Sequence, residues 1–532
     1  MTGGNGNQKI IFAPNLLSTT SINAIKTQHQ TSTIQLFDSP EHYWKRTVTR
    51  INKQKQILQH LTTMKIPITI LAASLIPFGI SKGANASSHN TDKLKPNFIL
   101  ILVDDLGYAD LSLNGSKQIP TPNIDRLAHE GINFTQGYVS SPVCAPSRAG
   151  LITGKNQVRF GFDNNLAPVD QPGFDPDFKG LPLSEKTIAD LLKPLGYVSG
   201  LVGKWHLGYA QHFHPLNRGF DEFWGYQGGG HDYFRSEPDG EGYLSPIESN
   251  YKTPQPITYL TDDKGDESVD FIRRHKDRPF FLFASFNAPH GPLQATEADL
   301  KLFEHIEDPK RRTYCAMVHR LDVNVGRIME TVKEEGLEEN TLIVFISDNG
   351  GPCENYPAIN APFNGQKGIL LEGGIRVPFI MKFKGQLPEG TTYPHPVISL
   401  DFAPSFLELA GREVVKEDDF DGVNLMPYLT GQMSEAPHHN MLWRFTISAV
   451  IRDGDWKLVR LPDRLPMLFN LGEDISEQNN VALENLGRTI NMLKQLGEWD
   501  VTLPHPVFFE GAQFKKRQLN NYDREYQLTQ PD

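Results

Sequence analysis

Residues 97–103, Asn-Phe-Ile-Leu-Ile-Leu-Val, form an apolar run with none of the polar alternation of a strand that shows one face to water. Such a run reads as a strand buried on both faces, which calls for parallel neighbours and helices on either side of a sheet. It ends abruptly in Asp104-Asp105-Leu106-Gly107. The same design recurs three times: residues 198–202 lead into Gly203-Lys204-Trp205-His206, residues 279–286 into Asn287-Ala288-Pro289-His290, and residues 342–346 into Ser347-Asp348-Asn349-Gly350. Helical stretches separate the runs. One opens with Thr121-Pro122, an N-cap residue and a first-position proline, another spans 184–195 and is closed by Gly196, and a third spans 311–332. Buried strands alternating with helices predict an α/β fold with an open sheet, whose site lies along the carboxyl ends of the strands. That rim would gather Asp104, Asp105, Lys204, His206, His290, Asp348 and Asn349. If the backbone stays extended past 204, Lys204 and His206 point the same way.

Asp104, Asp105, Asp348 and Asn349 offer oxygen donors and no soft ligand, a set that selects Ca²⁺ or Mg²⁺ over zinc. Lys204, His206 and His290 together suit an anion. Between the first two strands stands Ser140-Ser141-Pro142-Val143-Cys144-Ala145-Pro146-Ser147-Arg148. Pro146 suits the first turn of a helix that residues 148–152 continue, which puts Cys144 at a helix N-terminus, where free N–H groups and the dipole favour an anion.

Cys144-x-Pro146-Ser147-Arg148, followed by Leu151-x-Thr153-Gly154, resembles the signature of the type I sulfatases, in which this Cys is oxidised before folding to Cα-formylglycine (3-oxoalanine). A second block, Gly196-Tyr197-x-Ser199 running into Gly203-Lys204-Trp205-His206-Leu207-Gly208, resembles the same family, and the resemblance extends over residues 95–482. It implies an alkaline-phosphatase-like large mixed sheet flanked by helices, with a smaller C-terminal α+β domain built on an antiparallel sheet. It also implies one divalent cation per chain, Ca²⁺ or Mg²⁺, held by Asp104, Asp105, Asp348, Asn349 and the formylglycine made from Cys144. Lys204, His206, His290 and Lys367 match the residues around the sulfate, and Arg148 the residue that steadies the formylglycine. A formylglycine-generating enzyme is the implied partner in maturation.

The reaction implied is hydrolysis of a sulfate ester. The ester's negative charge repels nucleophiles, so cationic groups and a metal must hold its oxygens and stabilise the charge that develops. An aldehyde hydrate carries two hydroxyls on one carbon. One, with Asp348 a candidate base, attacks sulfur while His290 or Lys367 protonates the departing alcohol. The other is deprotonated by His206, and the carbonyl re-forms as sulfate leaves. A plain Ser or Cys lacks that exit.

The segment Gly228-Gly229-Gly230-His231-Asp232-Tyr233-Phe234-Arg235 is either a ligand-contacting loop or a plain surface loop. His231 and Arg235, with Trp443 and Arg444 near the junction of the two domains, are candidate contacts to a sugar. A sulfated carbohydrate is the expected substrate, carrageenan or a glycosaminoglycan among the choices. Two other functions stand beside this reading. A phosphoesterase on a related fold would normally carry Ser or Thr as nucleophile and more His/Asp ligands for two zinc ions. A sulfated-glycan-binding protein without catalysis would have lost site positions, and here every one is filled.

Past residue 436 the pattern changes to short strands, 447–452 and 456–460, around an Asp453-Gly454 turn. Residues 95–435 are therefore expected to form the catalytic domain and 436–532 a C-terminal domain and tail. From Met64 a basic start, a short apolar run interrupted by proline, and Ala84-Asn85-Ala86 make residues 64–86 a signal peptide too short to span a membrane comfortably. A periplasmic or secreted protein with no membrane span after cleavage follows. Residues 1–63 are expected to be a non-native or disordered extension, with Met64 the functional start. Residues 1–86 carry nine basic and two acidic side chains, so their loss takes the net charge from −11 to −18 and argues against nucleic acid as a partner. The three cysteines are Cys144, Cys315 and Cys353, which permit at most one disulfide once Cys144 is converted. Whether Cys315 and Cys353 meet is open at this level.

Overall fold

The computed structural model describes residues 95–166, 176–236, 246–252, 255–354, 356–507 and 512–526. The expected extension 1–63 and signal peptide 64–86 lie outside them. In chain order the strands are β1 (Asn97–Asp104), β2 (Ile132–Phe134), β3 (Gly137–Tyr138), β4 (Val198–Lys204), β5 (Glu222–Tyr226), β6 (Glu248–Ser249), β7 (Phe280–Pro289), β8 (Thr341–Ser347), β9 (Phe379–Lys382), β10 (Thr391–Tyr393), β11 (Val397–Ile398), β12 (Asn440–Phe445), β13 (Ser448–Asp453), β14 (Trp456–Arg460) and β15 (Met467–Asn470). The longer helices are α1 (Pro122–His129), α2 (Cys144–Thr153), α3 (Leu260–His275), α4 (Pro309–Glu334), α5 (Phe402–Leu409), α6 (Leu486–Asp500) and α7 (Ala512–Tyr526).

The four apolar runs are β1, β4, β7 and β8, and they lie side by side. The main sheet has nine strands in the order β10-β2-β9-β8-β1-β7-β4-β5-β6. Its centre, β8-β1-β7-β4-β5, is parallel, while β9 runs antiparallel to β8 and β6 antiparallel to β5, so the sheet is mixed. Burial on both faces is explicit in β1. Phe98, Leu100 and Leu102 enter one core with α2 and α5, and Ile99, Ile101 and Val103 enter another with α1, α3 and α4. Each such side chain is worth about 1.5–3 kcal/mol relative to exposure, which is why no polar residue interrupts the run before Asp104.

Parallel neighbours need crossovers, and α3 and α4 supply them, running between β5 and β7 and between β7 and β8 in the chain. Helix α4 starts where Asp308 accepts a hydrogen bond from the Lys310 N–H and Pro309 occupies the first turn. Cys315 is buried in α4 and Cys353 is exposed in a loop, and no disulfide joins them.

The C-terminal sheet is antiparallel, β12-β13-β14-β15, turning at Gly454 with φ 59°. Its inner residues, including Trp443, Phe445, Val450 and Phe469, belong to the same core as α2 and α5. Its outer residues Ile451, Leu458 and Leu468 pack against Met492 and Leu496 of α6. The change of pattern near residue 436 thus marks a second sheet that shares the core of the first.

Candidate active site

Every strand of the parallel centre except β5 delivers chemistry at its carboxyl end. β1 ends in Asp104, and Asp105 follows at φ 65°; β8 is followed by Asp348 and Asn349; β7 is followed by His290; β4 ends in Lys204. Close approach of β4 to β7 requires Gly203, where an added Cβ would lie 2.0 Å from the Ser285 carbonyl oxygen. The expectation that extended backbone carries Lys204 and His206 to one side is corrected. His206 has φ 59°, in the left-handed region, because the chain turns off the sheet there and its N–H donates to the Gln227 carbonyl. The turn packs the imidazole against Gly229, where a Cβ would come within 2.8 Å of Nε2.

Cys144 is the first residue of α2 and is buried, with Val143 extended before it. One potential ligand atom from each of Asp104, Asp105, Cys144 and Asp348 lies within 4.8 Å of the others. Asp104 Oδ1 and Asn349 Oδ1 are buried and accept no hydrogen bond among the described residues. Buried oxygens that accept no hydrogen bond, beside a cluster of carboxylates, suit a hard cation, so the residues fit Ca²⁺ or Mg²⁺. The one soft donor is the Cys144 sulfur, and its replacement by an aldehyde hydrate would make the set all oxygen.

Arg148, one turn along α2 from Cys144, ties the strand ends together. Its Nε donates to Asp348 Oδ2 at 2.9 Å, Nη1 donates to Ser285 Oγ at 2.6 Å and to the Lys204 carbonyl at 3.2 Å, and Nη2 is 3.7 Å from Asp104 Oδ2. Lys204 Nζ is 2.5 Å from Asp104 Oδ2, and Lys367 Nζ is 2.7 Å from Asp105 Oδ1. Burial works to raise the pKa of Asp104, but Lys204, His290, Arg148 and Lys367 outweigh it and hold the carboxyl well below its usual range. Asp348 goes the other way, to about 7, through burial and the charge on Asp104. Burial also lifts the Cys144 thiol to about 12. Lys367 is held well above its ordinary value because Asp105, then Cys144 and Asp104, outweigh its desolvation.

Burial acts on the two histidines in the same direction. Burial depresses His206 well below its usual value, helped by Lys204, and burial depresses His290 also. His290 Nδ1 donates to the Gly291 carbonyl at 2.7 Å, which leaves the neutral ring's Nε2 without a proton, 3.6 Å from Asp105 Oδ2. Nδ1 of His206 is buried without a hydrogen-bond partner among the described residues.

The candidate sugar contacts fare differently. Trp443 is fully buried, packs against Tyr138, and donates from Nε1 to the Val139 carbonyl at 2.8 Å, so the expectation that it meets a sugar is corrected: it is a core residue. His231 is 1 % exposed against the Tyr226 ring, which makes it an anchor of its loop rather than a surface of it. Arg235 is exposed and bonded to Asp232, the residue whose carboxylate also caps the Phe234 and Arg235 N–H groups. Arg444 makes a two-pronged pair with Asp163 and lines a cavity of about 520 Å³ together with Arg460, Asp500 and Lys515. Ser285 was missed as a site residue, although a hydroxyl inside the apolar run 279–286 was a readable signal. Tyr356, whose ring lies 6.3 Å from that of His290, had none.

The chain as a whole matches known proteins. The sulfatase family profile covers residues 96–412, and the profile for the C-terminal part of N-sulphoglucosamine sulphohydrolase covers residues 365–498. The chain belongs to the type I sulfatase family. As a sulfatase it is a sulfuric ester hydrolase. It is 35% identical to the N-acetylgalactosamine-6-sulfatase of Canis lupus familiaris, over 64% of this chain and 67% of that protein. It is 31% identical to the uncharacterized sulfatase YdeN of Escherichia coli (strain K12), over 66% of this chain and 69% of that one. Among solved structures, Ps i-CgsB in complex with k-i-k-neocarrahexaose superposes with a TM-score of 0.74 at 37% identity, covering 80% of this chain and 98% of that one. The PsFucS1 sulfatase from Pseudoalteromonas sp. gives 0.66 at 27%, covering 77% and 90%. A phosphonate monoester hydrolase of Agrobacterium radiobacter shares the fold at a TM-score of 0.54 and 20% identity, over 76% of this chain and 95% of that one.

Proposed function

We propose that this sulfatase hydrolyses sulfate esters on a sulfated carbohydrate, with Cys144 converted to Cα-formylglycine as the nucleophile and one Ca²⁺ or Mg²⁺ held by Asp104, Asp105, Asp348, Asn349 and residue 144. The observation that carries this reading is the placement of Cys144, buried at the start of α2 with its ligand atom in the same 4.8 Å cluster as three carboxylates. A thiol pushed up to about 12 is almost wholly protonated at neutral pH and a poor nucleophile. The formylglycine hydrate supplies hydroxyls instead, and a bound cation supplies charge to polarise them and the sulfate oxygens.

The chain's own groups then divide the work. Arg148 holds Asp348, Ser285 and the end of β4 in register. Lys204 and Lys367 carry the positive charge that draws in the sulfate, and both reach the carboxylates that would otherwise repel it. His206, neutral with a free ring nitrogen, is suited to take a proton. Of the pair expected to protonate the leaving alcohol, Lys367 is the one that holds a proton, since the neutral His290 commits its only N–H to the Gly291 carbonyl. Both then line the leaving-group side.

A carbohydrate substrate is supported by the k-i-k-neocarrahexaose with which the 37% identical Ps i-CgsB forms its complex, and by the N-acetylgalactosamine 6-sulfate for which the 35% identical relative is named. Residues 64–86 support a periplasmic or secreted protein, and Cys144-x-Pro146-Ser147-Arg148 supports maturation by a formylglycine-generating enzyme; among the described residues no helix is long and apolar enough to cross a membrane. Arg235 and Arg444 remain as sugar contacts in this reading. The test is a screen of sulfated carrageenan and glycosaminoglycan oligosaccharides for released sulfate, alongside mass spectrometry of the peptide that contains residue 144. Sulfate release with sulfur replaced by oxygen and two hydrogens lost at 144 is expected. Full turnover by protein with an intact thiol there would sink the mechanism.

A further inference from the structure

We propose that helix α7 is a positioning element for Lys367, acting through Gln518 and Tyr522. The proposal rests on the reading of Lys367 as a sulfate-binding proton donor.

Lys367 stands in an irregular loop with Gly365 at φ 86° and Gly368 at φ 85°, so the loop's own backbone repeats nothing that would fix a long side chain. On one side it is tied to the site, with Gly368 N–H donating to the Pro142 carbonyl at 2.8 Å and Lys367 N–H donating to the Gly351 carbonyl at 3.4 Å. On the other side both ties come from α7. Gln518 Nε2 donates to the Gly368 carbonyl at 3.2 Å, and the Leu370 N–H donates to the Tyr522 hydroxyl at 2.9 Å. Thr446 at the end of β12 donates to Gln518 Oε1, so both ends of that amide are committed. Arg524 pairs with Glu354, whose N–H donates to Gln366 beside Lys367.

These contacts select for position and cannot be explained by apolar docking alone. Gln518 and Tyr522 are one helical turn apart and 3% and 0% exposed, on a helix that reads Ala-Gln-Phe-Lys-Lys-Arg-Gln-Leu-Asn-Asn-Tyr-Asp-Arg-Glu-Tyr. Gln518 Nε2 and the Tyr522 hydroxyl meet the backbone on either side of Ile369, two residues past the amine-bearing Lys367. If either tie is removed, the buried Leu370 N–H or the part-buried Gly368 carbonyl loses its partner, and the loop shifts to satisfy it. Displacement of a catalytic group by a fraction of an ångström to an ångström is costly to rate.

The experiment is a kinetic double-mutant cycle on the mature enzyme, using a sulfated oligosaccharide it hydrolyses and 4-nitrophenyl sulfate. Tyr522→Phe and Gln518→Leu are each expected to lower kcat/KM on the sugar sulfate by about tenfold and on the activated phenol by less, the pattern of a lost proton donor. In a Lys367→Ala background the same changes should have no further effect, since there is then no amine to position. Thermal unfolding checks that each variant is folded. Losses that are equal in both backgrounds, or equal for both substrates, would show a merely structural helix and overturn the proposal. Unchanged kcat/KM in Tyr522→Phe and Gln518→Leu, with Lys367→Ala impaired, would overturn it too. Should Lys367→Ala itself turn over normally, the underlying reading of Lys367 fails first and takes this one with it.

Discussion

Arg148 is 1% exposed and its guanidinium faces Asp348 and, at longer range, Asp104, so its removal would leave Asp348 buried without its paired counter-charge, while Asp104 keeps Lys204. Breaking a buried pair from one side costs about 3–5 kcal/mol, much more than a surface pair is worth. Arg148→Ala is therefore expected to lower the unfolding midpoint sharply as well as abolish turnover, and Arg148→Lys to recover part of the stability while failing to bond Asp348 and Ser285 together. Calorimetry on the two variants checks this; equal midpoints for wild type and Arg148→Ala would mean the guanidinium is not a structural tie. Lys367→Ala should lower turnover more for sugar alcohols than for an activated phenol, because an already stable leaving oxygen needs no proton. Equal losses in a leaving-group series would leave Lys367 with sulfate binding alone. At this scale the site was largely readable, since the signature around Cys144 and the polar residues after each apolar run are local. The backbone turn at His206 was not, because φ 59° there depends on the Gln227 carbonyl that receives its N–H.

β14 is tied to the segment before β9 through a buried ionic cluster, in which Lys457 Nζ is 2.8 Å from Glu372 and 2.9 Å from Glu477. One ammonium cannot satisfy two ionised carboxylates in a fully buried place. Burial works to raise Glu372, but Lys457 and the nearby arginines bring it to about 2, while burial and the charge of Glu372 raise Glu477 to about 7. For Glu477 the folded pKa exceeds the unfolded one, so the stability it contributes is fully present below about 4.5 and is lost as pH rises through 7. Glu372 acts in a separate window, losing its contribution only as pH falls from 4.5 toward 2. The unfolding midpoint of the wild type should thus fall between pH 5 and 8 relative to Glu477→Gln, which mimics the protonated form. Parallel pH profiles of the two proteins would refute a protonated Glu477. Strand β14 itself was legible from residues 456–460 and the turn at Asp453-Gly454, but its cluster was not, since Lys457 and Glu372 are 85 positions apart.

Across the whole molecule, the parallel centre of the sheet brings Asp104, Asp105 and Asp348 to one rim, where their charges repel unless a cation or the lysines intervene. A chelator is expected to abolish activity and lower the unfolding midpoint, with both restored by Ca²⁺ or Mg²⁺, because a ligand that binds only the folded state stabilises it by mass action. Full activity after thorough metal removal would eliminate the site. The fold class and the rim were legible locally: strands buried on both faces must be apolar throughout, so the first polar residues mark where each strand leaves the core. Which side chains serve the core instead depends on contacts between distant parts of the chain. Trp443 bonds to Val139 across 304 positions and Tyr522 to Leu370 across 152, and nothing within a few residues of either reports such a partner. Burial of a tryptophan beside an arginine, or of a glutamine and a tyrosine on a charged helix, is settled by what packs against them, and those partners come from other parts of the chain.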